Sequence, residues 1–210
     1  MEPAHRELWI KQGIIEYFID YYSLGYCANH STYYNGQEWH SPSMTIPHYG
    51  PGWNLTNIQH RLLNPPEPGD KYRQMAGVPS AMFLTEPDEP LTGGVLVVEG
   101  AKKAIVTYTN IDPDLKLNVV AIPSKTPSAD MLALLVDADP VYLALDPDAY
   151  WPVNTKDGKQ LAPAVNRVAS KLDRSRVIIV KLPCKPDDLF TQYGGKKEDL
   201  TPFIKQGVKA

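Results

Sequence analysis

The chain has 210 residues, of which 43% are hydrophobic and 21% are charged, so it is long enough to bury a core and has the composition of an ordinary globular protein. The formal net charge of −3 excludes binding of nucleic acid through bulk positive charge. No apolar run is long enough to span a membrane, and the start of the chain is acidic and polar, unlike a signal peptide. Because Cys27 and Cys184 lie far apart, we expect a reduced cytoplasmic protein without membrane association.

Two regions of different pattern follow one another along the chain. Residues 1–92 carry 5 Lys and Arg against 10 Asp and Glu, whereas residues 93–210 carry 16 against 14. The segment Glu86–Pro90 is acidic and contains two prolines, which is typical of a linker. We therefore predict an α+β subdomain over residues 1–92 and a second domain over residues 93–210.

The first region begins with helical periodicity and continues with alternating strands. Apolar residues between positions 5 and 21, interrupted by Gly13, predict two short helices joined by a glycine C-cap. Polar and apolar residues then alternate over Met44–His48 and Leu55–Leu62, with Gly50-Pro51-Gly52 between them. This pattern predicts two antiparallel strands and a tight turn.

Histidines and one cysteine in the first region raise the question of a zinc site. Cys27, His30, His40 and His48 match no compact structural zinc spacing, because there is a single cysteine and no Cys-x-x-Cys pair. We predict exposed or hydrogen-bonded histidines on a β-hairpin instead.

The second region alternates strands with helices. Short apolar segments without alternation are typical of strands buried on both faces, so the region predicts an α/β domain with a mostly parallel sheet flanked by helices. The predicted strands are Val95–Val98, Asn118–Ile122, Val141–Leu145 and Val177–Lys181, and the predicted helices between them are Ala101–Thr109, Ser128–Val136 and Ala162–Leu172.

Acidic residues stand where two of these strands end. Glu99 follows the first strand directly, and Gly100 permits a sharp turn into the next helix. Asp146 and Asp148 follow the third strand. Because parallel strands end at a common edge of the sheet, these three carboxylates are expected to meet there, and a divalent cation relieves their repulsion. The hypothesis requires that Glu99 faces the two aspartates and that no lysine ammonium takes the place of the ion.

The acidic residues and several earlier blocks resemble a known family. Glu99-Gly100 and Asp146-Pro147-Asp148 resemble the signature of TOPRIM domains. The remaining blocks are similar, in the same order, to the catalytic core of bacterial-type (DnaG-like) DNA primases. These blocks are Trp9–Ile14, Tyr22–Tyr26, Thr45–Pro47, Asn57–Leu62 and Lys71-Tyr72.

The resemblance implies a DNA primase core that makes RNA primers in a metal-dependent reaction. Its partners would be a single-stranded DNA template, ribonucleoside triphosphates and a replicative helicase, fused or separate, as in phage and plasmid primases. Glu99, Asp146 and Asp148 would be catalytic, and together with Asp187 they would hold Mg²⁺ or Mn²⁺.

Basic residues supply candidates for contacts with phosphate. The resemblance places Arg61 and Lys71 along the groove for template and nucleotide, and Lys102, Lys103 and Lys125 are further candidates near the acidic edge. Without the resemblance, Arg61 and Lys71 are equally well explained as solvated surface cations.

Two positions depart from the family pattern. Lys103 stands where bacterial-type primases usually carry an Asp, and Lys185 stands where they carry a further acid. Two acids have become cations, so we expect fewer or more weakly held metal ions. Phage and plasmid primase-helicases often have a lysine at the position of Lys103, which favours that branch.

Two alternative functions remain open from the sequence. A TOPRIM nuclease uses the same acids with water as the nucleophile, and it would shorten nucleic acid without nucleoside triphosphates. A non-catalytic nucleic-acid-binding module of a replication assembly would gain no stability from a divalent metal.

Overall fold

Two compact units make up the structure, a computed structural model that describes residues 1–155 and 157–210. The units are Met1–Ala81 and Met82–Ala210. The sequence predicted a boundary after residue 92, whereas the structural division comes earlier. Strand β5 (Phe83–Leu84) pairs antiparallel with a strand of the second unit, Asn118–Ile122, and so belongs to that unit.

The first unit begins with two short helices, as the sequence predicted. Helix α1 spans Pro3–Ile10 and helix α2 spans Glu16–Tyr21. Gly13 lies between them with a φ of 84°, a backbone conformation that favours glycine. The apolar residues Trp9 and Ile19 are buried, with 0% and 1% of their surface exposed, which explains the helical spacing of the apolar side chains.

A four-stranded antiparallel sheet completes the first unit in the order β1-β2-β3-β4. Its strands are β1 (Gly25–Tyr34), β2 (Gln37–Gly50), β3 (Asn54–Leu62) and β4 (Tyr72–Gln74). The two predicted strands and the turn between them are confirmed as β2, β3 and a 3₁₀ turn over Pro51–Trp53.

The histidines of this sheet are held by neighbouring groups. His40 Nδ1 lies 3.1 Å from Asn29 Oδ1, and His48 Nδ1 lies 3.0 Å from the carbonyl oxygen of Ala81. His48 is buried rather than exposed.

The second unit contains a six-stranded mixed sheet in the order β12-β11-β8-β6-β7-β5. Its four central strands are parallel, as predicted, and the two edge strands run antiparallel to their neighbours. The strands not yet described are β6 (Val95–Glu99), β7 (Asn118–Ile122), β8 (Val141–Leu143), β11 (Val177–Ile179) and β12 (Val208–Lys209), and a separate hairpin pairs β9 (Val153–Asn154) with β10 (Gln160–Leu161).

Helices flank this sheet, and two of them are shorter than predicted. They are α3 (Ala101–Asn110), α4 (Ala129–Leu132), α5 (Ala164–Ala169), α6 (Pro186–Thr191) and α7 (Thr201–Lys205). Helix α4 tightens into a 3₁₀ turn after Leu132, and α5 begins only after Pro163, because proline disfavours the helical conformation of the residue before it.

The core of the second unit explains why its strands lack alternation. Val95, Leu96, Val97 and Val98 alternate between the two faces of β6, and each has 0% of its surface exposed. Burial on both faces of the sheet requires apolar side chains at successive positions.

Throughout residues 1–155 and 157–210, no helix is both long enough and apolar enough to cross a bilayer.

Candidate active site

Glu99 lies at the carboxyl end of β6, where the chain turns sharply into α3. Gly100 makes this turn with a φ of 90° and a ψ of 134°, and its N–H donates to the carbonyl oxygen of Ile122 at 2.9 Å. Ile122 is also the partner of Glu99 in the β6–β7 register. The turn therefore fixes Glu99 at the edge of the sheet, half-buried between strand and helix.

Asp146 and Asp148 lie on the segment that follows β8. Asp146 precedes a 3₁₀ turn over Pro147–Tyr150, and its carbonyl oxygen accepts from the N–H of Ala149 at 2.8 Å. The hydroxyl of Tyr150 donates to the carbonyl oxygen of Val180 at 2.5 Å, which ties this turn to the segment after β11. Asp146 is 7% exposed, whereas Asp148 reaches solvent.

These three acids converge as the sequence predicted. One carboxylate oxygen from each of Glu99, Asp146 and Asp148 lies within 4.8 Å of the others. Among the described residues, Glu99 Oε2 and Asp146 Oδ1 are buried without a hydrogen-bond partner. Burial raises the pKa of Glu99, and the negative charge of Asp146 adds to the rise, while Lys125 and Lys103 oppose it.

Hard carboxylate oxygens that are buried and unpaired are suitable ligands for Mg²⁺ or Mn²⁺. Glu99 Oε2 and Asp146 Oδ1 have this character, and exposed Asp148 offers a third oxygen on the open side. The residues therefore fit a divalent cation at this edge of the sheet.

Lys103 occupies one side of this acidic group. Its ammonium lies 2.9 Å from Asp146 Oδ2 and donates to the carbonyl oxygen of Glu99, also at 2.9 Å. Burial opposes the charge of Lys103, but the neighbouring Asp146, Glu99 and Asp187 outweigh it and raise its pKa, so the side chain is charged. The lysine takes one oxygen of Asp146 and leaves Oδ1 unpaired.

Two further lysines pair with acids at the same edge. Lys102 Nζ lies 2.5 Å from Asp187 Oδ2, and the ammonium of Lys125 contacts Asp148 Oδ2. Asp187 sits in the first turn of α6, 1% exposed, and its second oxygen is buried without a partner among the described residues. Asp187 lies outside the group of three converging acids.

The remaining predicted basic residues lie elsewhere in the chain. Arg61 is on β3, where its guanidinium donates to Met44 Sδ at 3.6 Å. Lys71 is exposed just before β4, and its carbonyl oxygen accepts from the N–H of Leu62. Lys185 is exposed at the N-terminus of α6.

Sequence reasoning missed two features of the acidic edge. It placed Lys102 near the acids as a phosphate ligand and did not foresee the pairing of Lys102 with Asp187, which is distant in sequence. It also overlooked Trp151, which is 60% exposed just after the acidic turn and carries the ammonium of Lys181 4.6 Å from its ring centroid. An aromatic residue directly after Asp-Pro-Asp-Ala-Tyr was the available signal.

Sequence comparison matches no family model and no curated protein. Solved structures are similar nevertheless. The zinc-binding and RNA polymerase domains of the Aquifex aeolicus primase superpose on this chain with a TM-score of 0.69 at 17% identity. The match covers 100% of this chain and 57% of the Aquifex aeolicus chain.

Two further structures extend this similarity. A DnaG primase catalytic domain bound to single-stranded DNA gives a TM-score of 0.71 at 14% identity, over 100% of this chain and 74% of that one. A structure of bacteriophage T7 lagging-strand DNA polymerase with primase domains bound to an RNA/DNA hybrid gives 0.64 at 13% identity, over 96% and 91%.

The fold is therefore that of a TOPRIM-containing primase catalytic core, as the motifs predicted. Within that class, the chain resembles bacterial and DnaG primase domains. The similar solved structures also include primase domains from a bacteriophage T7 assembly.

Proposed function

We propose that this protein is a DNA primase core that joins ribonucleotides on a single-stranded DNA template. The observation that carries the proposal is the convergence of Glu99, Asp146 and Asp148 at the carboxyl edge of the parallel strands, in a fold shared with primase cores. Nucleotidyl transfer requires acids that hold divalent cations at the reacting phosphate, and these three side chains supply them.

The acidic residues have separate roles in this proposal. Asp146 and Asp148 would hold Mg²⁺ or Mn²⁺ with their carboxylate oxygens. When bound, the ion polarises the reacting phosphoryl group and neutralises charge on the departing pyrophosphate. Glu99 either shares the ion or accepts the proton of the attacking 3′-hydroxyl, and its raised pKa suits a general base.

The basic residues would bind the substrates. Lys125 pairs with the exposed Asp148, so its ammonium is placed to reach a triphosphate at the open side of the site. Arg61 and Lys71 would contact phosphates of the template or the nucleotide. A replicative helicase, fused or separate, would bring the template, because the net charge of −3 gives the chain little affinity of its own for DNA.

The test is primer synthesis on single-stranded DNA with labelled ribonucleotides and Mg²⁺ or Mn²⁺, followed by sizing of the products. We expect ribonucleotide-dependent extension by the wild type and a loss of at least a hundredfold in Asp146→Asn, because the amide cannot hold the ion as a carboxylate does. The matched control is Asp130→Asn, which changes an exposed carboxylate in the first turn of α4 and should retain full activity.

Different products would contradict the proposal. Shortening of the DNA without ribonucleotides would identify a nuclease. Full activity of Asp146→Asn would remove this residue from the chemistry, and absence of any metal-dependent product would favour a binding module.

A further inference from the structure

The acids of the candidate site are matched with lysines one to one, apart from Glu99. Lys103 pairs with Asp146, Lys102 pairs with Asp187 and Lys125 contacts Asp148. Lys102 and Lys103 are neighbours in the first turn of α3, and their side chains are only 18% and 16% exposed. Their ammonium groups are thus built into the site and are not surface charges that happen to lie near it.

The charges of this arrangement limit how many cations it can hold. Four carboxylates and three ammonium groups leave one net negative charge. A single divalent ion changes the net charge of these groups to one positive, and a second ion would raise it to three positive. Ions about 4 Å apart in a two-metal centre need a surplus of acids around them, which is missing here.

The unpaired oxygens also favour one ion. The three converging ligand atoms belong to Glu99, Asp146 and Asp148, and Asp187 is not among them. Asp187 directs Oδ2 to Lys102, and its own unpaired Oδ1 lies outside the converging group, so it does not complete a second set of converging ligands among the described residues. Lys103 bridges Oδ2 of Asp146 and the carbonyl oxygen of Glu99, and Oδ1 of Asp146 has no hydrogen-bond partner among the described residues.

We infer that the site binds a single divalent cation on Glu99, Asp146 and Asp148, and that Lys102 and Lys103 stand in permanently for the second cation of a two-metal centre. The inference rests on the proposed function. Lys103 acts as a positioning residue that fixes Asp146 and supplies a positive charge that cannot dissociate. Lys102 does the same for Asp187.

Mn²⁺ titration followed by electron paramagnetic resonance tests this inference on the full chain. We expect one bound Mn²⁺ per wild-type chain, with the spectrum of an isolated ion. Lys102→Met/Lys103→Met removes both fixed charges at nearly constant side-chain length, and we expect two bound ions with the spectrum of a coupled pair. The control Lys205→Met, at the exposed end of α7, should bind one ion as the wild type does.

The single variant Lys103→Met keeps the inference testable should the double variant not fold. It frees the second oxygen of Asp146, and we expect Mn²⁺ to bind on the order of tenfold more tightly than to the wild type. Unchanged affinity in this variant, or one ion per chain in the folded double variant, would overturn the inference.

The number of Mn²⁺ ions bound by the wild type distinguishes a failure of this inference from a failure of the proposed primase function. Two coupled ions in a wild type that makes primers would refute the role of the lysines and leave the primase proposal standing. No bound ion at all would defeat both.

Discussion

His48 shows how a single side chain makes the first unit sensitive to acid. It is 1% exposed, and its neutral ring donates from Nδ1 to the carbonyl oxygen of Ala81. Burial lowers the pKa of His48 to about 4, against 6.5 in the unfolded chain. The unfolded state therefore takes up a proton at a higher pH than the folded state does, and the free energy of unfolding falls as pH drops from 6.5 towards 4.

The corresponding prediction concerns His48→Asn, which retains a donor for the carbonyl oxygen of Ala81. The loss of stability in the wild type should reach about 3 kcal/mol at pH 4 from this residue alone. The variant should show a flatter dependence between pH 6.5 and 4, measured by urea unfolding in small pH steps. His40→Asn, at an exposed histidine of the same strand, is the control and should follow the wild type. Parallel curves for all three proteins would contradict the assignment.

Glu99 shows the opposite situation, an acid whose burial is only partly compensated. Its Oε2 is buried without a hydrogen-bond partner among the described residues, and the nearby Asp146 repels its charge. Lys103 and Lys125 reduce this cost without removing it. Such a residue destabilises the metal-free protein when charged, and a bound cation would use that charge.

At the level of elements, the turn from β6 into α3 determines where Glu99 stands. Gly100 adopts a conformation that other residues avoid, and a Cβ built there meets no atom within 4 Å. Its replacement is therefore opposed by backbone strain and not by crowding.

We predict that Gly100→Ala lowers the free energy of unfolding by about 1–3 kcal/mol through this strain. Gly93→Ala is a matched control, because a Cβ there also meets no atom within 4 Å and its φ lies outside the left-handed region. Its effect should stay within about 0.5 kcal/mol. Urea denaturation of the two variants measures the difference, and equal stabilities would show that the turn relaxes to accept alanine.

The N-terminus of α4 is fixed at the same scale by a side-chain cap. Ser128 Oγ accepts from the N–H of Met131 at 3.1 Å. The hydroxyl of Ser128 thus ends the loop that carries Lys125 and begins the helix. The hydroxyl of Ser128 therefore serves the backbone of α4.

For the whole molecule, the central strands and the acidic residues were predictable because both depend on local pattern. Residues 95–98 and 119–122 are apolar throughout, and a parallel sheet then determines where Glu99 and Asp146 lie. The two-residue edge strands β5 and β12 were not predictable, since two residues show no periodicity. The pairing of Lys102 with Asp187 was likewise hidden, because it joins residues that are distant in sequence and meet only in the folded chain.

The uneven charge of the molecule leads to a last prediction, about DNA binding. Residues 1–92 are net acidic, yet they contain Arg61 and the exposed Lys71, the two residues proposed to contact phosphate. In the absence of divalent metal we expect weak binding of single-stranded DNA that decreases gently with salt, since few phosphates are neutralised. Mn²⁺ should strengthen it severalfold, because the bound ion reverses the charge of the acidic edge.

Fluorescence anisotropy with a labelled oligonucleotide over a range of NaCl concentrations measures both effects. Arg61→Gln and Lys71→Gln should each weaken binding equally across DNA sequences and reduce the logarithmic salt slope by about 1, because each removes one phosphate contact. Lys11→Gln changes an exposed lysine of the same unit and should leave the slope unaltered. If all three variants behave alike, the phosphates lie elsewhere, and the basic residues near the acidic edge, Lys125 foremost, would have to bind them.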